Sequence, residues 1–458
     1  MIYSATFLES VYDDALTHFF FDERLEQAGY IFGRISITDR ETRFILREFT
    51  PVAREHILAQ KRDGMTIDGT SYVKAIQHAD RTQQSFWFGH SHPKGCAWFS
   101  AQDDNEEPHL FRTAAVRIEN PSLHGSIVFP LGGGPIARVW SGGKIIAPVE
   151  RIRCVGRRFR FVTSTENGTS LPDFVDRQVK AFGEDIQRTL QRLHIAVVGT
   201  GGTGSAVCEQ LIRLGVGELS VYDPQDIEKS NINRVYGASV RDEGVSKVEV
   251  IRRLAEFIGV GTVTHTHKAS IYDKNTALTL RDADIIFGCT DDDFGRAILS
   301  QIALRYCIPV IDMGVLIDSN NQTIRTVCGR VTTLYPGTAC LICRNRVTTE
   351  RIRNDSVSYF NPSEAEGLRR EGYAPELVGN DPAVIPFTSS IASTAVTELL
   401  QRLTGFMHSG RTASEILHSF DREEIGHNSL APADGCLCRR PDVIGAGDTR
   451  DFLGMKWG

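Results

Sequence analysis

Several absences narrow the class of this 458-residue chain before any motif is read. No uninterrupted apolar run approaches the roughly 18 residues that a membrane-spanning helix needs, so none is expected. Positive charge is not in excess: 51 Lys and Arg face 57 Asp and Glu, and the net charge of -6 argues against a nucleic-acid or membrane-surface protein. The first 21 residues have no basic leading segment and carry Glu9, Asp13 and Asp14, which is not a secretory signal. Repeats of fixed period and low-complexity tracts are missing too. What remains is 41% hydrophobic and 24% charged, an ordinary globular balance that excludes a wholly disordered chain. A cytoplasmic protein is expected, in which the ten cysteines stay reduced and serve metal binding or burial rather than disulfides.

Two textures divide the chain, and the length fits more than one core. Residues 1–155 mix short strand-like runs, such as Tyr30–Gly33, Ser85–Phe88 and Gly125–Phe129, with helical stretches such as Thr70–His78, which is an α+β pattern. Residues 156–172, with Ser164 to Ser170 rich in Ser, Thr and Gly, are expected to be a linker. From 173 to 458 strand and helix alternate. His194–Val198, Glu218–Tyr222, Ala283–Phe287 and Cys307–Asp312 are expected as strands, with helices over Gly204–Leu214 and Val245–Ile258. That alternation is α/β and predicts a Rossmann-like, mainly parallel sheet.

In the first region His90-Ser91-His92-Pro93 closes an apolar strand, with Ser100 and Asp103 downstream. Residues two apart on a strand share a face, and residues three apart on a helix are neighbours. Two imidazoles and a carboxylate leave one position open, the arrangement of a catalytic zinc. Glu26, just ahead of an apolar strand, is the candidate general base and proton shuttle, and Ser100 the candidate donor to a tetrahedral oxyanion. Each piece has a plainer explanation: a lone His-x-His pair is commonly accidental, and Ser100 with Asp103 equally fits a helix N-cap and its acidic third residue. The full series, with seven residues between His92 and Ser100 and two before Asp103, resembles the JAB/MPN (JAMM) metalloprotease signature. The resemblance implies zinc-dependent cleavage of a peptide or isopeptide bond after the C-terminal glycine of a ubiquitin-like protein.

In the second region Gly199, Gly201, Gly202 and Gly204 follow a strand and open a helix, so backbone N–H groups can approach phosphate. Asp223 ends the next strand at a spacing suited to a ribose. This much also fits a nicotinamide dehydrogenase. Asn231, Arg234 and Lys247 follow, then Asp291 and Asp292 after another strand, with Arg296 beyond. Two cations and an extra carboxylate suit chemistry at phosphorus, with Arg234 and Lys247 offsetting charge and Asp291 holding Mg2+. The assembly resembles the ubiquitin-activating, ThiF/MoeB-like adenylyltransferase superfamily over roughly 173–445. That resemblance places Asp223 on the ribose of ATP and Asn231, Arg234 and Lys247 around its triphosphate. It also implies a homodimer, with Arg177 of Asp176-Arg177-Gln178 reaching the other subunit's ATP. The family often carries Asp-x-Asp after the strand, whereas here Gln225 replaces the second acid and Asp226 comes one place later.

Cys340, Cys343, Cys436 and Cys438 can close a four-thiolate structural zinc, although the last pair has a Cys-x-Cys spacing. Cys208, Cys289 and Cys307 are expected in the core. Activating enzymes that hand on their substrate usually keep a nucleophilic cysteine between the first pair and the last helices, yet residues 344–435 contain none. Direct transfer from the adenylate, or an oxyester on Thr348, Thr349, Ser356, Ser358, Ser363 or the run Thr388-Ser389-Ser390, are the two expected routes. The resulting expectation is a bifunctional enzyme of a bacterial-type ubiquitin-like or sulfur-carrier system, its two sites tethered in one chain. A conjugating enzyme is a possible further partner. The alternatives are a peptide- or sulfur-carrier-adenylating enzyme with a processing protease, and a binding scaffold with one inactive head.

Overall fold

A computed structural model of the chain describes residues 1–163, 170–320, 323–361, 382–407, 411, 413–449, 451–454 and 457. They fall into two compact units: 1–168 with 305–307 and 444–451, and 169–304 with 308–443 and 452–458. No helix of the described residues is long and apolar enough to cross a membrane.

The first unit is built on β1 (Ile2–Leu8), α1 (Glu9–Phe19), β2 (Ala28–Ile37), β3 (Glu41–Pro51), β4 (Ile57–Lys61), β5 (Gly64–Ile67), α2 (Gly69–Thr82) and β6 (Ser85–His92). It continues with α3 (Ala101–Arg117), β7 (Leu123–Pro130), β8 (Ile136–Ser141), β9 (Lys144–Pro148), β10 (Arg151–Val155) and β11 (Phe159–Thr163). Among the described residues nine strands share one mixed sheet in the order β11-β10-β1-β3-β2-β6-β7-β8-β9, and β4 and β5 form a separate hairpin. Alternation along the strands sorts the side chains into two layers. Phe7, Phe44, Trp87 and Phe129 pack with α1, while Tyr30, Phe32, Phe86 and Trp140 pack with α2 and α3. β6 is covered on both faces, which explains its nearly continuous apolar run. Its last residues, His90 to His92, pair with β7 at the end of the strand.

Two boundaries differ from the sequence expectation. Residues 159–163 of the expected linker form β11, antiparallel to β10. The alternation of Phe159 and Phe161 with Arg160 is an edge strand with Phe159 buried, and the three nearby arginines disguise it. Residues 164–169 of that linker lie outside the described residues. Residues 444–451, expected with the C-terminal domain, count with the first unit: Asp448 N–H donates to the Ile35 carbonyl at 3.0 Å, and Asp448 Oδ2 accepts from Ile37 N–H at 2.7 Å. No local pattern announces so distant a pairing.

The second unit begins with α4 (Asp176–Phe182), α5 (Glu184–Arg192), β12 (His194–Val198), α6 (Gly202–Arg213), β13 (Glu218–Tyr222), α7 (Lys247–Ile258), β14 (Val263–His267), α8 (Lys274–Thr279), β15 (Ile285–Gly288) and α9 (Asp293–Arg305). After these come β16 (Val310–Asn320), β17 (Thr323–Leu334), α10 (Thr349–Phe360), α11 (Ile385–Thr404), β18 (Glu415–Ser419) and β19 (Glu424–Asn428). The sheet runs β14-β13-β12-β15-β16-β17-β18-β19. Its first five strands are parallel and the last three antiparallel, so the sheet is mixed. The sequence missed β14 because Val-Thr-His-Thr-His is an edge strand with little to bury. The strand expected from Cys307 starts only at Val310, since Cys307 sits at φ +53° and Pro309 lacks an N–H. α7 likewise starts at Lys247 rather than Val245. Because β13 and β15 leave β12 in opposite directions, the strand order reverses there, and ligands of open parallel sheets bind in that crevice.

Candidate functional site

Strand β6 and helix α3 bring His90, His92 and Asp103 together. His90 Nε2 lies 3.2 Å from His92 Nε2 and 3.3 Å from Asp103 Oδ1. His92 Nε2 lies 3.8 Å from Asp103 Oδ2. One ligand atom from each residue falls within 4.8 Å of the others. His92 Nδ1 is 2.9 Å from the Cys96 carbonyl, an acceptor that places the proton on Nδ1 and leaves Nε2 a lone pair for a metal. The donor chemistry therefore fits zinc. Ser100 is the N-cap of α3, so the plainer explanation of Ser100 with Asp103 holds. Asp103 N–H donates to Ser100 Oγ at 3.2 Å, and Ser100 N–H donates to Asp103 Oδ2 at 2.6 Å. The capping box thus fixes the carboxylate whose other oxygen faces His90. Burial pulls the His90 ring down, but the Asp103 hydrogen bond and charge outweigh it and raise it.

Glu26 lies in the loop before β2, beside the same cavity of about 400 Å³, which Ser100, Asp103, Tyr72, Phe88 and Met65 also line. Burial pushes its carboxyl up to about 7, with Asp103 and Asp63 adding and His90 opposing. A carboxyl at that value can both take and return a proton near neutral pH.

In the second unit the loop after β12 is shaped by glycine. Gly199 has φ +87°, and a Cβ on Gly204 would stand 1.8 Å from the Gly199 carbonyl oxygen, so neither position admits a side chain. At Gly201 a Cβ would meet nothing within 4 Å, which leaves the backbone accessible. Asp223 is buried and ties the loop down: Oδ2 accepts from Thr200 N–H at 2.8 Å and Oδ1 from Gln225 N–H at 2.9 Å. Part of its acceptor capacity therefore serves the loop itself. Lys247 is buried, and its ammonium donates to Gln225 Oε1 at 2.6 Å. The glutamine that replaces an acid thus holds the lysine, while Asp226 pairs with Lys268 at 2.6 Å. Asn231 is buried and accepts from Glu228 N–H at 3.2 Å. Arg234 donates to the Ser230 carbonyl, and its Cδ would lie 3.4 Å from a Cβ on Gly202. Asp291 is exposed in the turn just before α9, next to Asp292, whose Oδ1 accepts from Gly295 N–H. Arg177 is exposed on α4. Arg296 faces buried Asp312 at 3.5 Å, as does Arg330 at 2.5 Å. No local pattern signals this cluster, because Arg296, Asp312 and Arg330 come from separate elements.

The four cysteines converge. Their Sγ separations are 3.7 Å for Cys340–Cys343, 3.6 Å for Cys340–Cys436 and Cys343–Cys438, and 3.4 Å for Cys436–Cys438. A tetrahedron with metal–sulfur bonds of about 2.3 Å has edges of about 3.8 Å, so the set fits zinc. The hydrogen bond from Cys438 pulls the Cys340 thiol below its ordinary value. Cys208 and Cys307 are buried and Cys289 half-buried. Of the candidate acyl-carrying hydroxyls, Thr348 caps α10, and Thr349, Ser356 and Ser358 lie on it. Ser363 lies outside the described residues. Thr388 is buried in the first turn of α11, 3.3 Å from the position of a Cβ on Gly202, and Ser389 Oγ meets Tyr236 Oη at 2.8 Å. Ser390 lies next on α11.

The chain is similar to several known proteins. A Drosophila pseudoobscura pseudoobscura protein described as ubiquitin-like modifier-activating enzyme 5 is 30% identical over 162 residues, 32% of this chain and 39% of that one. The Drosophila sechellia protein described as adenylyltransferase and sulfurtransferase MOCS3 is 28% identical over 135 residues, 30% of each chain. The matches therefore span about two fifths or less of these relatives' length. A solved structure of E. coli MccB with ATP shares 19% identity, with a TM-score of 0.44, over 59% of this chain and 75% of that one. The sequence profile of the ThiF family matches residues 175–435, more than half of the chain. The chain belongs to the ThiF family.

Proposed function

We propose that the second unit adenylates the C-terminal carboxylate of a ubiquitin-like or sulfur-carrier protein, and that the first unit is a JAB/MPN-type zinc peptidase that exposes or frees the same terminus. The observation that carries the first half is the glycine-rich Gly199–Gly204 loop at the strand-order switch, with Arg234 against it and Lys247 behind Gln225. Loop N–H groups and the start of α6 receive phosphate oxygens. Asn231, Arg234 and Lys247 line the triphosphate, and Asp223 orients the ribose. The substrate carboxylate attacks the α-phosphorus and pyrophosphate leaves, with the two cations offsetting its charge. Mg2+, when bound at Asp291, neutralises phosphate charge. Arg177 completes the site of a second copy in a homodimer. With no cysteine between Cys343 and Cys436, the acyl group passes directly to an acceptor, to a partner conjugating enzyme, or through a loop hydroxyl; intact mass of the loaded chain separates the last route from the others.

The convergence of His90, His92 and Asp103 beneath a cavity shared with Glu26 supports the peptidase half. Zinc, when bound there, supplies Lewis acidity and lowers the pKa of water. Glu26 takes the water proton and returns it to the leaving amine, and the Ser100 hydroxyl, an acceptor from Asp103, still has its proton to donate to the oxyanion. Four thiolates hold a second, structural zinc. A ubiquitin-fold protein with a short extension after Gly-Gly tests both halves. Trimming at the glycine, then formation of AMP and pyrophosphate, is expected. Trimming by the His92→Ala variant, or no ATP turnover with the trimmed protein, would refute the corresponding half.

A further inference from the structure

Beneath the zinc-type triad lies a buried ionic pair that none of the sequence motifs contains. Glu107, one turn after Asp103 on α3, is 2% exposed and lines the cavity. Its Oε2 accepts from Ser126 Oγ at 2.6 Å and from Arg138 Nη2 and Nε at 2.8 and 3.1 Å. Arg138, on β8, also donates to Asp104 Oδ1 at 2.5 Å. Its guanidinium carbon lies 3.8 Å from the ring centre of Phe99, the residue before the α3 N-cap. Asp104 and Glu107 follow Asp103 on the helix, so one arginine fastens the first two turns of α3 and the loop that enters them. Two buried polar atoms nearby have no hydrogen-bond partner among the described residues: Glu107 Oε1 and His90 Nδ1.

We propose that Glu107 and Arg138 are positioning residues for the His90–His92–Asp103 centre. Glu107, buried and held by Ser126 and Arg138, anchors the second turn of α3, one turn beyond the Asp103 carboxylate. Arg138, whose planar fork reaches Glu107 and Asp104 while its face covers Phe99, holds the helix turn that delivers Asp103. The helix turns that present Asp103 thus rest on one buried salt bridge, which by itself is weak ground for stability. The inference rests on the zinc-peptidase reading of this centre.

The test is zinc affinity of the full chain by chelator competition, with the cysteine-held ion counted separately as that released only by a mercurial. Glu107→Gln keeps the side chain's size and Arg138→Lys keeps the charge but not the fork. Each is expected to weaken the His/Asp site by about 10- to 100-fold, with the cysteine-held zinc retained and Glu107→Asp recovering part of the loss. Zinc binding within twofold of the parent in both Glu107→Gln and Arg138→Lys would overturn the proposal. So would a lower melting temperature of the metal-free variants with unchanged zinc affinity of the folded protein, since that is a purely structural loss. If Glu107→Gln fails to fold, Arg138→Lys decides. If the parent chain binds no zinc outside the cysteines, and His92→Ala changes nothing, the peptidase reading falls together with this one.

Discussion

Glu26 is the residue whose environment speaks most directly of chemistry. Burial raises its carboxyl from an ordinary 4.5 to about 7. The folded state therefore holds the proton more tightly than the unfolded chain. Any stability linked to this group is fully present below about pH 4.5 and lost as pH rises through 7. In metal-free protein the melting temperature of the parent relative to Glu26→Gln should fall over that interval; a constant difference would refute the shift. With zinc restored, Glu26→Gln should bind the metal but lose peptidase rate by about 100-fold or more. A rate near the parent's would remove Glu26 as the base. At Lys247 the expectation concerns ATP instead: Lys247→Ala should lose most ATP turnover while the peptidase persists, read by pyrophosphate release beside cleavage of an extended tail. These residues were legible in the sequence because their chemistry is local in type and spacing. Glu107, Arg138 and Asp312 were not, since each gains meaning only from partners far away in the chain.

At the scale of elements, the sequence displays what has a buried period and hides what does not. β6 and β12 are plain because both faces are covered. β11 and β14 are edge strands with polar or charged alternation, and they passed for linker or loop. The α3 N-terminus shows how one local motif can serve two ends. Ser100 and Asp103 form a capping box, and the same carboxylate turns to His90. Ser100→Ala should therefore lower stability by about 0.5–2 kcal/mol, measured by denaturant unfolding, and also weaken zinc. A change in only one of the two would separate cap from centre. Gly204→Ala is a sharper test of the loop after β12, because its Cβ would collide with the Gly199 carbonyl. Loss of ATP binding, measured calorimetrically, is expected; binding unchanged from the parent would show that the loop does not hold phosphate.

For the whole molecule, division into two units was visible as a change of texture, but its borders were not. Residues 444–451 count with the first unit, and nothing in their composition betrays it. The ten cysteines now divide into a converging four and six others, and the chain is expected to hold two zinc ions of different character. Mild chelation should empty the His/Asp site and stop the peptidase with little change in melting temperature. Release of the thiolate-held ion should lower the melting temperature. Equal lability of the two ions would contradict the assignment of one as structural.

Adenylation by the second unit is the central proposal, and isotope exchange tests it most directly. With Mg2+, ATP, labelled pyrophosphate and a ubiquitin-fold protein ending in Gly-Gly, the chain should return label to ATP. The exchange should require the free terminal carboxylate, vanish in Lys247→Ala and survive in His92→Ala. Absence of exchange with the glycine-ended protein, or exchange that ignores the carboxylate, would contradict adenylation of a protein tail as this chain's reaction.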